Sequence, residues 1–127
     1  MSAQPSLIHK SLAGVGVLVC DADGPKLDGE RAATDLIGEA FGADARVVAV
    51  PVGRLGEGFL TLSTRIAGEV VQKFVNYGFR VAFVGDVSDA VAASDALRDF
   101  VRESNRGRHV WFVADLTELE AKLAAQP

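Results

Sequence analysis

Residues 67–86, AGEVVQKFVNYGFRVAFVGD, hold a helix, its stop, a strand and the strand's exit in one stretch. Leu62, Ile66, Val70, Phe74 and Tyr77 recur three or four positions apart, which aligns them on one face and predicts a helix over 62–77. Gly68 on that helix would let a neighbour approach closely. Gly78 supplies the left-handed residue that ends a helix, and the apolar run FRVAFVG follows as a strand. A helix that turns on a glycine straight into a buried strand is the unit of an α/β protein. Asp86 stands just past the strand's end, where its carboxylate is expected to accept backbone N–H groups of the next turn.

The same alternation runs through the rest of the chain. SLIHK and GVGVLVC are short β-like runs separated by SLAG, the spacing of an opening hairpin. From Asp28, the expected N-cap, Ala32, Leu36 and Ala40 run beside Ala33, Ile37 and Phe41 as two adjacent helical rows closed by Gly42. ARVVAVPV is the near-continuous apolar run of a strand covered on both faces, with Pro51 at its end. Downstream, SDALRDFVRESNRG is a helix burying Leu97, Phe100 and Val101. HVWFVA is a strand with Trp111 in the core and its indole N–H in need of a partner. LTELEAKLAA is a final helix with Thr117 and Glu120 as a capping box. The order ββαβαβαβα demands a mixed, mostly parallel sheet with packed helices, because parallel neighbours need crossover connections. With 127 residues and no linker or repeat, one domain over 1–127 is expected.

Composition narrows the function classes. Hydrophobic residues at 49% and charged residues at 24% suit an ordinary folded chain. No apolar run approaches the roughly 20 residues of a membrane span. MSAQPSLIHK lacks the basic start and apolar segment of a signal peptide, so a cytoplasmic location without membrane attachment is expected. The net charge of -4 argues against a nucleic-acid partner held by its phosphates. Cys20, the single cysteine, lies in an apolar run and is expected to be buried and inert. His9 and His109 fall on separate strands, and no glycine-rich phosphate loop follows a strand. Neither a metal site nor a cofactor is expected.

RIAGEVVQKFVNY, VAFVGDVS and ALRDFVRESNRG, in that order, resemble the bacterial family known as domain of unknown function 4180, most strongly over 57–113. The resemblance implies a fold and no activity. The order of elements also resembles the STAS domain of anti-sigma-factor antagonists, an α/β sandwich with a strand, a loop and a helix in the place of VVAVPVGRLGEGFLTLSTRIAG. In that family a serine at the start of this helix, within an Asp-Ser-Ser/Thr-Gly-like motif, is a phosphorylation switch. The corresponding LTLST offers Thr61, Ser63 and Thr64 but lacks the preceding aspartate and the following glycine; Thr61 or Ser63 is expected to cap the helix.

A different resemblance starts from the second strand. VGVLVCDADGP looks like the opening motif of haloacid-dehalogenase-like phosphatases, which would make Asp21 the nucleophile and Asp23 the proton donor. FLTLST would supply the hydroxyl motif, Lys73 the cation that balances the phosphate, and Asp86 with Asp89 the carboxylates for magnesium. Pro25 stands where that family has a threonine, and Lys73 lies about 16 Å along its helix at 1.5 Å per residue. A magnesium-dependent phosphohydrolase of this kind requires Asp21, Asp23 and Asp86 to converge at neighbouring strand ends.

The preferred reading is a non-enzymatic regulatory or interaction module that binds a protein partner or a small ligand. Its candidate binding residues are the helical stripe Arg65, Glu69, Lys73 and Asn76, whose charges stand as i, i+4 partners, together with Glu103, Asn105 and Arg106 of the ESNRG turn. The arginines there suit a carboxylate or a phosphate. Self-association as a homodimer is a further expectation, through a loop patch of Leu55, Phe59 and Leu60.

Overall fold

The computed structural model describes residues 7–125. The chain enters as a hairpin in which β1 (Leu7–Leu12) lies antiparallel to β2 (Val15–Cys20). The expected loop SLAG contracts to the two residues Ala13 and Gly14. Their positive φ values of 52° and 79° twist the turn in the sense the strands need. Ser6, expected at the start of β1, lies outside the described residues. Three parallel strands follow, β3 (Val47–Pro51), β4 (Arg80–Val84) and β5 (Val110–Val113), and the sheet runs β1-β2-β3-β4-β5 without a reversal. This is the mixed, mostly parallel sheet expected. Between the strands run α1 (Glu30–Gly42), α2 (Ile66–Asn76) and the pair α3 (Ser88–Ala93) and α4 (Asp95–Arg106), and α5 (Leu116–Ala125) closes the described chain.

A strand order that never reverses, joined by crossovers of one hand, keeps successive crossover helices on one face of the sheet. The packing follows. Leu36, Ile37, Val70, Phe74, Phe100 and Val101 from α1, α2 and α4 meet Leu18, Val48, Val50, Val81, Phe83 and Phe112 on that face. The alternate strand positions Val17, Val47, Ala49, Ala82, Trp111 and Val113 pack with Leu119 and Leu123 of α5 on the other. The central strands β3 and β4 are apolar on both faces for that reason. Trp111 is buried as expected; its indole N–H donates to the Gly107 carbonyl at 2.9 Å, and its ring lies 5.5 Å from the Arg80 guanidinium and 5.2 Å from Lys122 Nζ.

Several local expectations need correction. Helix α1 starts at Glu30 with Gly29 as N-cap, because Leu27 forms a small parallel bridge with Leu55 and keeps Asp28 in the loop. In the last turn of α1, Phe41 is 64% exposed, and at the end of α2 Tyr77 is 52% exposed, although both sit at core spacing. Around Leu62–Thr64 the chain forms a short 3-10 turn, and Arg65 at φ 67° breaks it from α2, so no single helix spans 62–77. A hydroxyl does serve this helix start, but it is that of Thr64, which accepts the Ile66 N–H at 3.3 Å, rather than Thr61 or Ser63. The run before Ser94 forms a separate short helix, α3, ahead of the expected one. At α5 the box is Asp115 with Glu118 rather than Thr117 with Glu120: Asp115 accepts the Glu118 N–H at 2.9 Å, and Glu118 reaches back to the Ala114 N–H at 2.7 Å. Phe59 is fully buried against Phe83, and Leu55 and Leu60 are half-buried in the same core, so this loop offers no exposed patch.

Candidate functional site

The candidate site residues fall in two regions, the strand ends and the polar stripe. At the strand ends the acids are engaged in turns. Asp21 Oδ1 accepts the Asp23 N–H at 2.9 Å, and Asp86 Oδ1 accepts the Ser88 N–H at 2.8 Å. Hydrogen bonding by Ser88, side chain first and backbone second, holds the Asp86 carboxyl below the ordinary range. Strand β3 lies between β2 and β4, which separates their ends by two inter-strand spacings, roughly 9–10 Å. Among the described residues no three His, Cys, Asp or Glu side chains gather in a way that could hold a metal. The convergence of Asp21, Asp23 and Asp86 that a phosphohydrolase requires is therefore not found. An open α/β sheet binds ligands at the crevice where its strand order reverses, and this order has no reversal.

The loop DADGPK is instead a strap held down by a residue the sequence did not single out. Arg54 is 97% buried at the end of a short 3-10 turn after β3, at 3% exposure. Its Nε donates to the Pro25 carbonyl at 2.6 Å and its Nη1 to the Asp21 carbonyl at 2.7 Å. Gly24 rides directly over the guanidinium: a Cβ there would come within 2.5 Å of Nη1. Lys26 Nζ donates to the Gly53 carbonyl at 2.6 Å, and the Leu27–Leu55 bridge completes the fastening. Nothing in GRLGEG marks its arginine as internal; the signal lies only in the tertiary contact with a loop 30 residues earlier, from Gly24 to Arg54. Below it, burial pushes the Cys20 thiol up to about 11 while Arg54 pulls it back.

The polar stripe is different, because the fold gathers it. Arg65, Gly68, Glu69, Gln72, Lys73 and Asn76 form the outer ridge of α2, and with Glu30 of α1 and Phe100 of α4 they line a shallow groove of about 610 Å³. The expected i, i+4 pairs along the stripe do not form. Lys73 Nζ turns to Glu30 Oε1 at 3.8 Å, and Gln72 Nε2 donates to Asn76 Oδ1 at 2.8 Å. A Cβ built on Gly68 would meet nothing within 4 Å, so this glycine is an open notch in the ridge and not the close contact expected of it. Arg65 and Glu69 remain exposed at the groove.

The ESNRG residues do not line that groove. Glu103 and Arg106 pair with each other at 3.3 Å on the exposed side of α4. Asn105 is turned inward to the sheet edge, where its Oδ1 accepts the Phe112 N–H of β5 at 2.7 Å and its carbonyl lies 3.5 Å from Lys122 Nζ. That bond satisfies a strand N–H on the outer edge of the sheet, a structural use of Asn105. Of the three hydroxyls, Thr64 lies 2.8 Å from the carbonyls of Gly58 and Thr61, whereas Thr61 and Ser63 line a second recess of about 440 Å³ with Ala90, Ala93 and Ser94.

The architecture defines an open, sequentially ordered α/β sheet with its crossover helices on one face and a polar groove over the middle helix. The chain belongs to the family described as Domain of unknown function (DUF4180), whose model matches residues 12–123. Neither the curated proteins nor the solved structures yield a match. No helix of the described residues is long and apolar enough to cross a membrane.

Proposed function

We propose that the protein is a non-enzymatic interaction module, regulatory in role and STAS-like in its order of elements, that works in the cytoplasm and engages a protein partner through the groove over α2. The observation that carries this reading is the groove of about 610 Å³ with Arg65, Glu69, Lys73 and Asn76 on one ridge, an aromatic wall at Phe100 and a notch at Gly68. Its charges are mixed, Arg65 and Lys73 with Glu30 and Glu69, and Lys73 pairs with Glu30 at 3.8 Å. Such a pattern suits a polypeptide segment carrying both signs better than a polyanion, and it favours specificity over bulk attraction. A shallow, wide recess also fits a peptide or a domain surface better than an enclosed small molecule. Glu103 lies one turn beyond Phe100 on α4 and would extend the same surface.

The test fills the notch. Gly68→Trp places a bulky ring in open space, and Lys73→Glu reverses one charge while the fold stays intact. Partners captured from the native host with the unmodified chain are identified by mass spectrometry, purified and titrated against both variants. Loss of binding in both, with unchanged thermal unfolding, supports the groove. A purified partner that binds the variants as tightly as the parent chain removes the groove from consideration. Robust magnesium-dependent hydrolysis of a generic phosphate ester that vanishes in Asp21→Asn would overturn the non-enzymatic reading altogether.

A further inference from the structure

Phe41 and Tyr77 stand at core positions of two amphipathic helices and yet are the two large apolar side chains most exposed among the described residues, at 64% and 52%. They are neighbours in space. With Asp44, Ala45, Arg46, Gly78 and Phe79 they line a cup of about 260 Å³ at the end of the sheet where α1 and α2 finish. The Phe41 ring and the Tyr77 backbone are held in place. Phe41 packs edge-on against the buried Phe79 at 5.2 Å. Tyr77 is fixed at the end of α2 because the Gly78 N–H bonds the Val75 carbonyl at 3.0 Å and the Phe79 N–H bonds the Phe74 carbonyl at 2.9 Å, a closed helix terminus. Asp44 and Arg46 flank the cup, are both exposed, and make no ion pair with each other or with any other described residue.

We propose that this end of the molecule is the contact face of a homodimer, with Phe41 and Tyr77 at its centre and Asp44 of each copy against Arg46 of the other. The patch is complementary to itself. A two-fold axis lying in the interface and crossing the line between the acid and the base brings each over its opposite, so the patch matches itself without any second surface. The same rotation sets aromatic ring against aromatic cup, and aromatics surrounded by a polar rim are the usual anatomy of a binding centre. A cationic ligand would be repelled by Arg46 and an anionic one by Asp44; a second copy uses both. The face shares no lining residue with the groove over α2, although Tyr77 follows Asn76 in the chain, and dimerisation here does not depend on that groove.

Sedimentation velocity across a wide concentration range tests it, with Tyr77 ring resonances, unique in this chain, reporting the contact. The unmodified chain is expected to dimerise reversibly with concentration-dependent Tyr77 shifts. Tyr77→Glu, at an exposed position, and Phe41→Glu, which also removes the edge contact with Phe79, are expected to weaken association at least tenfold. D44K and R46E are each expected to be weakened alone, and their equimolar mixture to regain association within a few-fold of the parent, since each then presents the charge its partner lacks. Trp111 emission, from the sole tryptophan, verifies that every variant is folded. A chain that stays monomeric at all concentrations overturns the proposal, as does a dimer indifferent to Tyr77→Glu, or a mixture of D44K and R46E no tighter than either alone.

Discussion

Arg54 is the residue on which the β2–α1 connection depends, and its removal should be expensive. Two carbonyls of that loop share its guanidinium, and bonds to a charged group are each worth about 1.5–3 kcal/mol. Arg54→Met should therefore lower stability by about 2–4 kcal/mol in a denaturant melt, and Arg54→Lys should not restore it, because an ammonium lacks the planar fork that reaches both oxygens. Cys20 beside it makes a second prediction. Its folded thiol titrates at about 11 against an ordinary 9.0, so the folded state holds the proton that the unfolded chain releases. A raised acid pKa contributes nothing below pH 9.0 and costs stability above it, by about 1.4 kcal/mol per pH unit and about 2–3 kcal/mol by pH 11. Cys20→Ala should remove that alkaline loss, and the native thiol should resist a disulfide reagent at neutral pH. Asp86 behaves in the opposite sense: its depressed carboxyl adds a small stabilisation above the ordinary aspartate range that fades as acid protonates it. Asp86→Asn should keep the turn, since an amide oxygen accepts the Ser88 N–H, while Asp86→Ala should lower the melting temperature.

Helix α2 supplies the sharpest contrast between its two faces. Phe74 is fully buried, and Phe74→Ala should cost about 3–5 kcal/mol. On the outer face, Gly68→Ala should raise stability by about 1 kcal/mol, because the glycine is helical, exposed and free of any neighbour to be displaced. Both are read from urea melts followed at Trp111. The buried face, the glycine stop and the following strand were legible in the sequence because they obey periods of 3.6 and 2 residues that packing on a sheet enforces. The polar ridge was legible as a stripe, since Arg65, Glu69, Lys73 and Asn76 share one face by spacing alone. Its companions Glu30 and Phe100 were not, because they arrive from other helices, and no local period encodes which helices are neighbours. Phe41 and Tyr77 misled for a related reason: helical spacing says which side of a helix a residue occupies and nothing about whether the sheet extends beneath it.

The sheet as a whole buries its middle and leaves two different edges. Strands β3 and β4 are covered on both faces and paired on both sides, so amide exchange should be slowest at Val48–Val50 and Val81–Phe83 and fastest, among strand amides, along β1. A pattern in which β1 is as protected as β3 would show that its open edge is covered in solution. The strand order β1-β2-β3-β4-β5 has a further consequence for how the chain reaches this state. No strand has to wait for a later one to fill a gap between two neighbours, so each βα unit finds its docking surface already made by the unit before it. Each parallel pairing therefore closes only the loop of a single crossover, which keeps contact order low for a parallel sheet.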